Sequence, residues 1–354
     1  MTSTIHLTTY LPEEFSPIRW TNNQLKLLDQ RILPLDITWL TYSSAETVAQ
    51  AITDMVVRGA PAIGITAAYG VVLSAIEHHR SILDGDYSAV MKDINILAQS
   101  RPTAINLFWA LEQMEQVLKT SESADTIERL IQAAIEIHQQ DIQFCHQIGD
   151  HGAGLLSPNS TVYTHCNAGA LATGGHGTAL GVIRTAFKKD KIKQVFAGET
   201  RPWLQGARLT SWELTQAGIP ATLVTEGAAG HTMKSNPVDW VIVGADRISA
   251  DGSAANKIGT YNLAVLAKFH GCKVMVAAPS STFDMTIDSG LDIPIEQRPF
   301  TEVTQYKDHQ IAPTDVIASN PSFDVTPPEL IDAIVTEKGV ILSPTKEKLL
   351  AHFQ

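Results

Sequence analysis

Two residues with the chemistry of a catalytic pair follow stretches of sequence typical of buried strands. Cys166 follows the β-branched run 161–165, and Asp246 comes two residues after the apolar run 239–244. A cysteine beside a glycine-rich turn can be held as a reactive thiolate by a helix dipole and nearby cations. An aspartate at the end of an apolar run is partly desolvated, which raises its pKa and can keep it protonated as a general acid. We interpret Cys166 and Asp246 as candidate catalytic residues.

Both residues could instead have a purely structural role, and the residue types alone do not decide between the two roles. A buried cysteine often does nothing but pack, as we expect of Cys145 on the apolar stripe of a long helix and of Cys272 at the start of a buried strand. Asp246 could cap a turn or pair with Arg247.

Cations beside glycine turns favour a phosphorylated ligand. The candidates are Arg58, Arg101, Arg201, Arg208 and Lys257. Arg58 precedes Gly59, Ala60 and Pro61, where a turn backbone and a guanidinium could both bind phosphate. Lys257 follows Asn256 at the predicted start of a helix, where backbone N–H groups point at an anion.

A glycine-rich turn at 174–178 follows the first predicted strand and could cradle a phosphate. It is not a dinucleotide fingerprint, because the sixth position is Leu180 and the glycine comes one residue later, at Gly181. The alternative is that its glycines only permit a tight turn and close helix packing. The sequence has no CxxC, HExxH or GxSxG motif, so we expect neither a metal site nor a cofactor.

The elements that would position these residues lie mainly after Pro158, where strand-like runs alternate with helical stretches. We predict strands at 161–165, 194–197, 221–225, 239–244 and 273–278, and helices at 178–187, 206–216 and 256–270. This alternation predicts an α/β fold with a Rossmann-like, doubly wound parallel sheet. Ligands of such sheets bind at the carboxyl ends of the strands, where the strand order reverses. The candidate residues should meet at that edge.

The first part of the chain predicts a smaller α+β domain, residues 1–125, before a C-terminal Rossmann-like domain, residues 126–354. Runs at 25–33 and 37–42 predict a small sheet, runs at 44–57, 106–118 and 126–148 predict helices, and 121–125 is the candidate linker. Ser43 and Glu46 fit a capping box for the first helix. The uncharged stretch 59–76 approaches the length of a membrane span, but its glycines, Pro61 and polar residues favour a buried helix.

The overall composition is ordinary for a globular protein of the size of an enzyme. The chain has 354 residues, 44% of them hydrophobic and 18% charged, with a net charge of −11. An acidic excess argues against nucleic acid or an anionic membrane as partner, but it permits a local cationic pocket. Three cysteines predict a reducing compartment rather than a disulfide framework. Residues 1–6 lack the pattern of a signal peptide, and we expect a cytoplasmic protein.

Several motifs, in order along nearly the whole chain, resemble those of the methylthioribose-1-phosphate isomerases. This family is related to the regulatory subunits of a translation-initiation nucleotide exchange factor. The motifs are RGAPAIG at 58–64, RPTAINL at 101–107, THCNAG at 164–169, ETRP at 199–202, QGARL at 205–209, GADRI at 244–248, NKIGT at 256–260 and NP at 320–321. The resemblance implies an aldose–ketose isomerase of methionine salvage, acting on a small sugar phosphate, and a homodimer.

The resemblance also implies roles for individual residues. Asp246 would be the proton donor and Cys166 the second catalytic residue. Phosphate and sugar contacts would fall on Arg58, Gly59, Ala60, Arg101, Gln205, Asn256 and Lys257. A neutral Asp246 could protonate the ring oxygen of 5-methylthioribose 1-phosphate and open the furanose. Hydrogen must then move between C2 and C1 to give 5-methylthioribulose 1-phosphate, either as a proton through an enediol-type intermediate with Cys166 or as a hydride.

Three other functions share parts of this pattern. A ribose-1,5-bisphosphate isomerase would place a second phosphate where the methylthio group lies. A non-catalytic regulatory subunit would share the fold without needing Cys166, Asp246 and the phosphate residues together. A nicotinamide dehydrogenase would need the fingerprint that is broken here. Recognition of the methylthio group is unassigned, since Trp109, Trp203 and Met233 could each serve or merely pack.

Overall fold

The computed structural model describes residues 15–102, 104–306 and 309–353. Two features of the sequence lie outside these residues. One is the segment 1–6, which carries the expectation about a signal peptide, and the other is Thr103 of the motif at 101–107.

The first part of the described chain is a small antiparallel sheet followed by helices, as the apolar runs predict. The strands, in sheet order, are β1 Ile18–Thr21, β2 Gln24–Leu28 and β3 Trp39–Tyr42. The helices are α1 Ala45–Thr53, α2 Ala60–Glu77, α3 His79–Leu83, α4 Ser88–Gln99, α5 Ile105–Thr120 and α6 Thr126–Leu155. The predicted capping box is wrong by one residue: Ser44 has the extended backbone of an N-cap, and its Oγ accepts from the Thr47 N–H at 3.4 Å.

Helix α2 is the centre of the first hydrophobic core. It is long and apolar enough to cross a membrane, but 83% of it is buried inside the protein. It packs against α1, α4, α5 and α6, and side chains such as Tyr69 and Val72 are inaccessible to solvent. A helix that is apolar on all sides must be surrounded either by lipid or by other elements of the protein, and here it is surrounded by other helices. The interpretation of 59–76 as a buried helix is confirmed.

The second part is built on a seven-stranded sheet with smaller sheets beside it. The strands of all these sheets, among the described residues, are β4 Ser160–Thr164, β5 Ile192–Gly198, β6 Ala221–Val224, β7 Trp240–Val243, β8 Arg247–Ser249, β9 Ala254–Lys257, β10 Lys273–Ala277, β11 Phe283–Asp284, β12 Gln305–Tyr306, β13 His309–Gln310, β14 Phe323–Thr326, β15 Ala333–Thr336 and β16 Gly339–Leu342. Its helices are α7 Ala179–Lys188, α8 Ser211–Gln216, α9 Ala229–Ser235, α10 Thr260–His270, α11 Thr301–Thr304 and α12 Lys346–Phe353.

The large sheet has the order β16-β15-β10-β7-β4-β5-β6, and all of its pairs are parallel except β15 with β16. Its six parallel strands follow the doubly wound order 3-2-1-4-5-6, so the predicted Rossmann-like fold class is confirmed. The predicted helix 206–216 exists as a π-helical turn, Gly206–Thr210, that leads into α8. The predicted helix 256–270 is wrong at its start, because β9 ends at Lys257 and the helix begins only at Thr260.

Helix α6 is shared by two hydrophobic cores. Leu130 and Ala134 of its first half pack in the core around α2. Ile148 and Ala153 of its second half pack against the large sheet together with α7. The boundary between residues 125 and 126 therefore falls at the start of a helix that joins both parts, and the division into two domains stays a prediction.

Candidate functional site

The strand order reverses between β4 and β7, and the site lies at the carboxyl ends of these two strands. They are parallel neighbours, with Thr164 paired to Ile242. From β4 the sheet continues to β5 and β6 on one side, and from β7 to β10 and β15 on the other. Cys166 follows β4 and Asp246 follows β7. The sheet thus brings together two residues that are far apart in the sequence.

One cleft is lined by every residue to which the family resemblance assigns a role. These residues are Arg58, Gly59, Ala60, Arg101, Cys166, Gln205, Asp246, Asn256 and Lys257. The first four come from the helical part of the chain and the other five from the Rossmann-like part. The cleft is therefore complete only when both parts are in place.

The start of helix α2 forms one wall of the cleft. Gly59 precedes the helix with φ +95°, and a Cβ at this position would lie 2.6 Å from the Cβ of Ala172. No side chain caps the helix among the described residues, and Pro61 stands in its first turn. The first N–H groups of an 18-residue helix thus remain available for an anion.

Arg58 is held in the cleft by the loop that follows β4. Its Nη1 and Nη2 donate to the backbone carbonyl of Asn167 at 2.8 and 2.7 Å, and Nη2 also contacts Asn167 Oδ1. Two further cations complete the electropositive wall. Arg101 Nη2 lies 3.7 Å from a carboxylate oxygen of Glu296, and Lys257 Nζ lies 4.7 Å from the ring centre of Phe323.

Cys166 has a left-handed backbone, with φ +57°, and two threonines hold it there. Thr200 Oγ1 accepts a hydrogen bond from its N–H at 2.8 Å, and the Thr210 hydroxyl donates to its carbonyl. Burial raises the pKa of the Cys166 thiol, although the positive charges of Arg58 and Lys257 oppose this shift. Desolvation therefore outweighs the cations, and the site favours the thiol rather than the thiolate that the sequence suggested.

Asp246 lines the same cleft, with its backbone N–H donating to Ala255 O at 2.9 Å. Burial raises the pKa of its carboxyl, and the charges of Lys257, Arg101 and Arg58 moderate that rise. Its carboxylate accepts no hydrogen bond within the described part of the chain. The alternative partner Arg247 instead pairs with Asp284 at 3.4 Å. An unpaired carboxyl with a raised pKa suits a proton donor.

Gln205 and Asn256 are buried amides that line the cleft. Gln205 precedes the π-helical turn, and its Oε1 has no partner among the residues described. Asn256 lies near the end of β9, where its Nδ2 donates to Thr260 Oγ1 at 2.9 Å. Asn256 and Lys257 line the cleft as predicted, but they are presented by a strand and not by the helix start expected from sequence.

Several sequence candidates belong to the scaffold instead. Arg201 donates to Val303 O at 3.1 Å, and Arg208 donates to the carbonyls of Gln30 and Leu33 at 3.0 and 3.1 Å. These hydrogen bonds join separate loops of the scaffold. Neither of them lines the cleft.

The glycine-rich turn at 174–178 also serves packing. A Cβ at Gly177 would lie 2.4 Å from the Cα of Gly169, and of the whole turn only Thr178 lines the cleft. The expected packing roles of Cys145 and Cys272 fit their burial. Of the candidates for the methylthio group, only Trp203 lines the cleft; Trp109 lines a neighbouring depression, and Met233 is in the core of the sheet.

The sequence did not reveal the residues that hold the catalytic loop. Asn167 and Thr200 lie in motifs that assign them no role, and Thr210 and Glu213 lie outside the motifs. Glu213 carried one signal: it is an acidic residue between Trp212 and Leu214 in an apolar stretch. Among the described residues, no cluster of three or more His, Cys, Asp or Glu side chains could hold a metal ion.

Comparison with known proteins places this fold and cleft in a family. Residues 56–343 match the sequence model of the initiation factor 2 subunit family, and the chain belongs to this family. Over 340 residues it is 54% identical to the methylthioribose-1-phosphate isomerase of Marinobacter nauticus, which covers 95% of this chain and 96% of that protein.

Two solved structures are also close. The 5-methylthioribose 1-phosphate isomerase of Pyrococcus horikoshii OT3 superposes with a TM-score of 0.89 at 41% identity, covering 96% of this chain and 95% of that one. A structure described as the translation initiation factor eIF-2B, subunit delta, from A. fulgidus has a TM-score of 0.86 at 41% identity, covering 96% and 99%. The resemblance seen in the sequence motifs is confirmed.

Proposed function

We propose that this protein is an aldose–ketose isomerase that converts 5-methylthioribose 1-phosphate into 5-methylthioribulose 1-phosphate in methionine salvage. The relatives named methylthioribose-1-phosphate isomerase, at 51–54% identity over nearly the whole chain, support this activity. The observation that carries the proposal is the convergence of all nine assigned residues on one cleft at the switch point of the sheet.

The phosphate group would bind at the start of α2. The free N–H groups of this helix, with Arg58, Arg101 and Lys257, offer the positive field that a phosphate dianion needs. Gly59 permits the turn that leads into this helix, because a side chain at this position would meet Ala172. This arrangement supports the substrate-binding roles of Arg58, Gly59, Ala60 and Arg101.

Asp246 would open the ring. A neutral carboxyl donates its proton to the ring oxygen as the bond between that oxygen and C1 breaks, and the raised pKa of Asp246 favours the neutral form. The proton gained by the ring oxygen is balanced by the proton lost from the C2 hydroxyl. Since C1, which has the oxidation level of an aldehyde, is reduced as C2 is oxidised to a ketone, the reaction needs no external oxidant or reductant.

Cys166 would act on the hydrogen that moves between C2 and C1. Because burial raises the pKa of this thiol, little thiolate is present at neutral pH. That favours a direct hydride shift, with Cys166 packed beside the reacting carbons, over abstraction of the C2 proton by a thiolate.

The deciding experiment is an NMR assay of the purified protein with methylthioribose 1-phosphate and, in parallel, ribose 1,5-bisphosphate. We expect turnover of the first substrate in preference to the second. Cys166→Ser and Asp246→Asn should each abolish turnover while leaving the thermal unfolding midpoint close to that of the wild type. Run in deuterium oxide, the same assay reports on the route, because a hydride shift places no solvent deuterium at C1.

Each proposed role has an outcome that contradicts it. Near-normal activity of either variant would remove the role of that residue. Faster turnover of the bisphosphate would reassign the substrate. A folded wild-type protein that turns over neither sugar would favour a non-catalytic subunit, as the name of the A. fulgidus structure suggests for that protein.

We also propose that the protein is a cytoplasmic homodimer that takes no nucleic acid or membrane as partner. The free thiols of Cys145, Cys166 and Cys272 suit a reducing compartment. The homodimer is proposed from the family resemblance, and its mass by sedimentation equilibrium tests it.

A further inference from the structure

Glu213 of helix α8 is a fully buried carboxylate with four hydrogen-bond donors around it. It is 0% exposed. Arg184 Nη2 and the Ala170 N–H donate to Oε2 at 2.7 and 2.9 Å. Asn167 Nδ2 and the Leu171 N–H donate to Oε1 at 2.9 and 3.2 Å. A buried charge is tolerated only with such partners, and these four donors satisfy both oxygens.

Three of the four donors belong to the loop that follows β4, which is the loop that carries Cys166. The loop closes around the carboxylate so tightly that a Cβ at Gly169 would lie 2.4 Å from Glu213 Oε1. The Glu213 carboxylate therefore packs directly against the loop and accepts hydrogen bonds from two successive N–H groups of the loop backbone. Glu213 thus adds three hydrogen bonds to those by which Thr200 and Thr210 hold the loop at Cys166.

Asn167 is the link from Glu213 to the substrate cleft. Its amide has one donor end and one acceptor end. Because Nδ2 faces the carboxylate of Glu213 and the hydroxyl of Thr210, Oδ1 must face the other way, toward Arg58 Nη2. The Asn167 backbone carbonyl accepts from both terminal nitrogens of the same guanidinium. A negative charge at Glu213 thus fixes which end of the amide meets Arg58.

The guanidinium held in this way keeps its Nε donor unused. Arg58 Nε is buried and has no acceptor within the described part of the chain. An arginine anchored through Nη1 and Nη2 is preorganised, so less conformational freedom is lost when an anion binds.

We propose that Glu213 is a positioning residue of the isomerase site, which acts through Asn167 to hold Arg58 in place for the substrate phosphate. The inference rests on the proposed function for the identity of the ligand. The contacts themselves are independent of the proposed function, and they connect Arg184, Glu213, Asn167 and Arg58 in an unbroken series.

Glu213→Gln tests the inference with the smallest change of shape. An amide keeps one acceptor oxygen, so its NH₂ group must face two of the four donors. We expect kcat/KM for methylthioribose 1-phosphate to fall by roughly 10- to 100-fold, the loss typical of a hydrogen bond to a charged group. Most of the loss should appear as a higher KM, because Arg58 binds the phosphate in the ground state and in the transition state alike.

A double-variant cycle separates positioning from general stability. Asn167→Ala removes the link itself, so adding Glu213→Gln to it should cost little further KM. The matched control is Asp332→Asn. Asp332 Oδ2 accepts from the Val274 N–H at 2.8 Å at the amino end of β10, whereas the cleft lies at the carboxyl ends of the strands. This control should lower the unfolding midpoint and leave KM unchanged.

The inference is overturned if Glu213→Gln keeps the wild-type KM, or if the losses of the two single variants multiply in the double variant. Should Glu213→Gln fail to fold, Asn167→Ser probes the same link from its other end, and an unchanged KM for that variant rejects the inference. The affinity for inorganic phosphate, measured by calorimetry, should weaken in parallel with KM. If wild-type protein binds inorganic phosphate but does not turn over the sugar, the proposed function fails while the weakened phosphate affinity of the variants still supports the role of Glu213.

Discussion

Asp246 must be protonated to act as an acid, and its neighbours pull its pKa in opposite directions. Burial raises the pKa and the nearby cations lower it, with a net rise, and Glu296 adds to the rise through its negative charge. Since the protonated form is active, kcat should be highest below this raised pKa and fall as pH increases through it. Glu296→Gln removes a negative neighbour and should therefore move the alkaline limb of the pH–rate profile to lower pH.

The measurement is kcat for methylthioribose 1-phosphate between pH 5 and 9 for both proteins. Wild-type rates at saturating substrate remove the titration of the free ligand from the comparison. A limb that stays in place, or that moves to higher pH, would show that Asp246 is not the group that titrates. Glu329→Gln, an exposed carboxylate outside the cleft residues, should leave the profile unchanged.

At this scale the sequence predicts which residues carry chemistry better than it predicts what holds them. Cys166 and Asp246 could be placed because each ends a strand-like run. Arg208 could not be distinguished from a phosphate ligand, because a guanidinium that binds carbonyls and one that binds an anion have the same local sequence context. Glu213 was missed because its partners are Asn167 and Arg184, tens of residues away.

Helix α2 can present its first N–H groups to a ligand only if Gly59 keeps its conformation. With φ +95° and ψ 136°, this position is one that residues with a side chain rarely adopt. A Cβ would also lie 2.6 Å from the Cβ of Ala172. We expect Gly59→Ala to destabilise the protein by about 1–3 kcal/mol from backbone strain, with an added cost for moving Ala172, and to impair turnover. Urea unfolding and the isomerase assay measure the two effects.

Gly85→Ala is the matched control. Gly85 has φ +78°, but no heavy atom lies within 4 Å of its would-be Cβ. This substitution should cost only about 1–2 kcal/mol, the price of a left-handed conformation for an L-residue, and leave activity intact. Equal losses of stability in the two variants would show that contact with Ala172 does not constrain the start of α2.

Elements defined by local periodicity are the ones that the sequence predicts well. The buried helix α2 and the alternating strands of the large sheet follow from apolar patterns alone. The predicted helix at 256–270 is wrong at its start because Ala254–Lys257 pairs with Phe323–Thr326, a strand almost seventy residues further along the chain. Such a non-local pairing overrides local helix propensity, and no window around residue 256 contains the information.

At the scale of the whole molecule, the site requires two parts of the chain to keep a fixed position relative to each other. Arg58 and Arg101 come from the helical part, and Cys166 and Asp246 come from the sheet. Helix α6 is the covalent and packed connection between them, with buried side chains in both cores. The sequence does not predict that one helix packs in two cores. Residues 121–125 have the composition of a linker, and the periodicity of the helix shows only that it has an apolar face.

Leu130→Ala tests whether α6 couples the two parts. Leu130 is 0% exposed, so the truncation should cost about 2–5 kcal/mol. Because the same helix packs on the sheet, we expect hydrogen exchange to accelerate in both α2 and β7. Leu97→Ala is an equally buried truncation in the same core, but on α4, and should accelerate exchange in α2 more than in β7. If Leu130→Ala leaves the protection of β7 unchanged, α6 does not transmit stability between the parts, and the cleft is then an interface between two independently stable units.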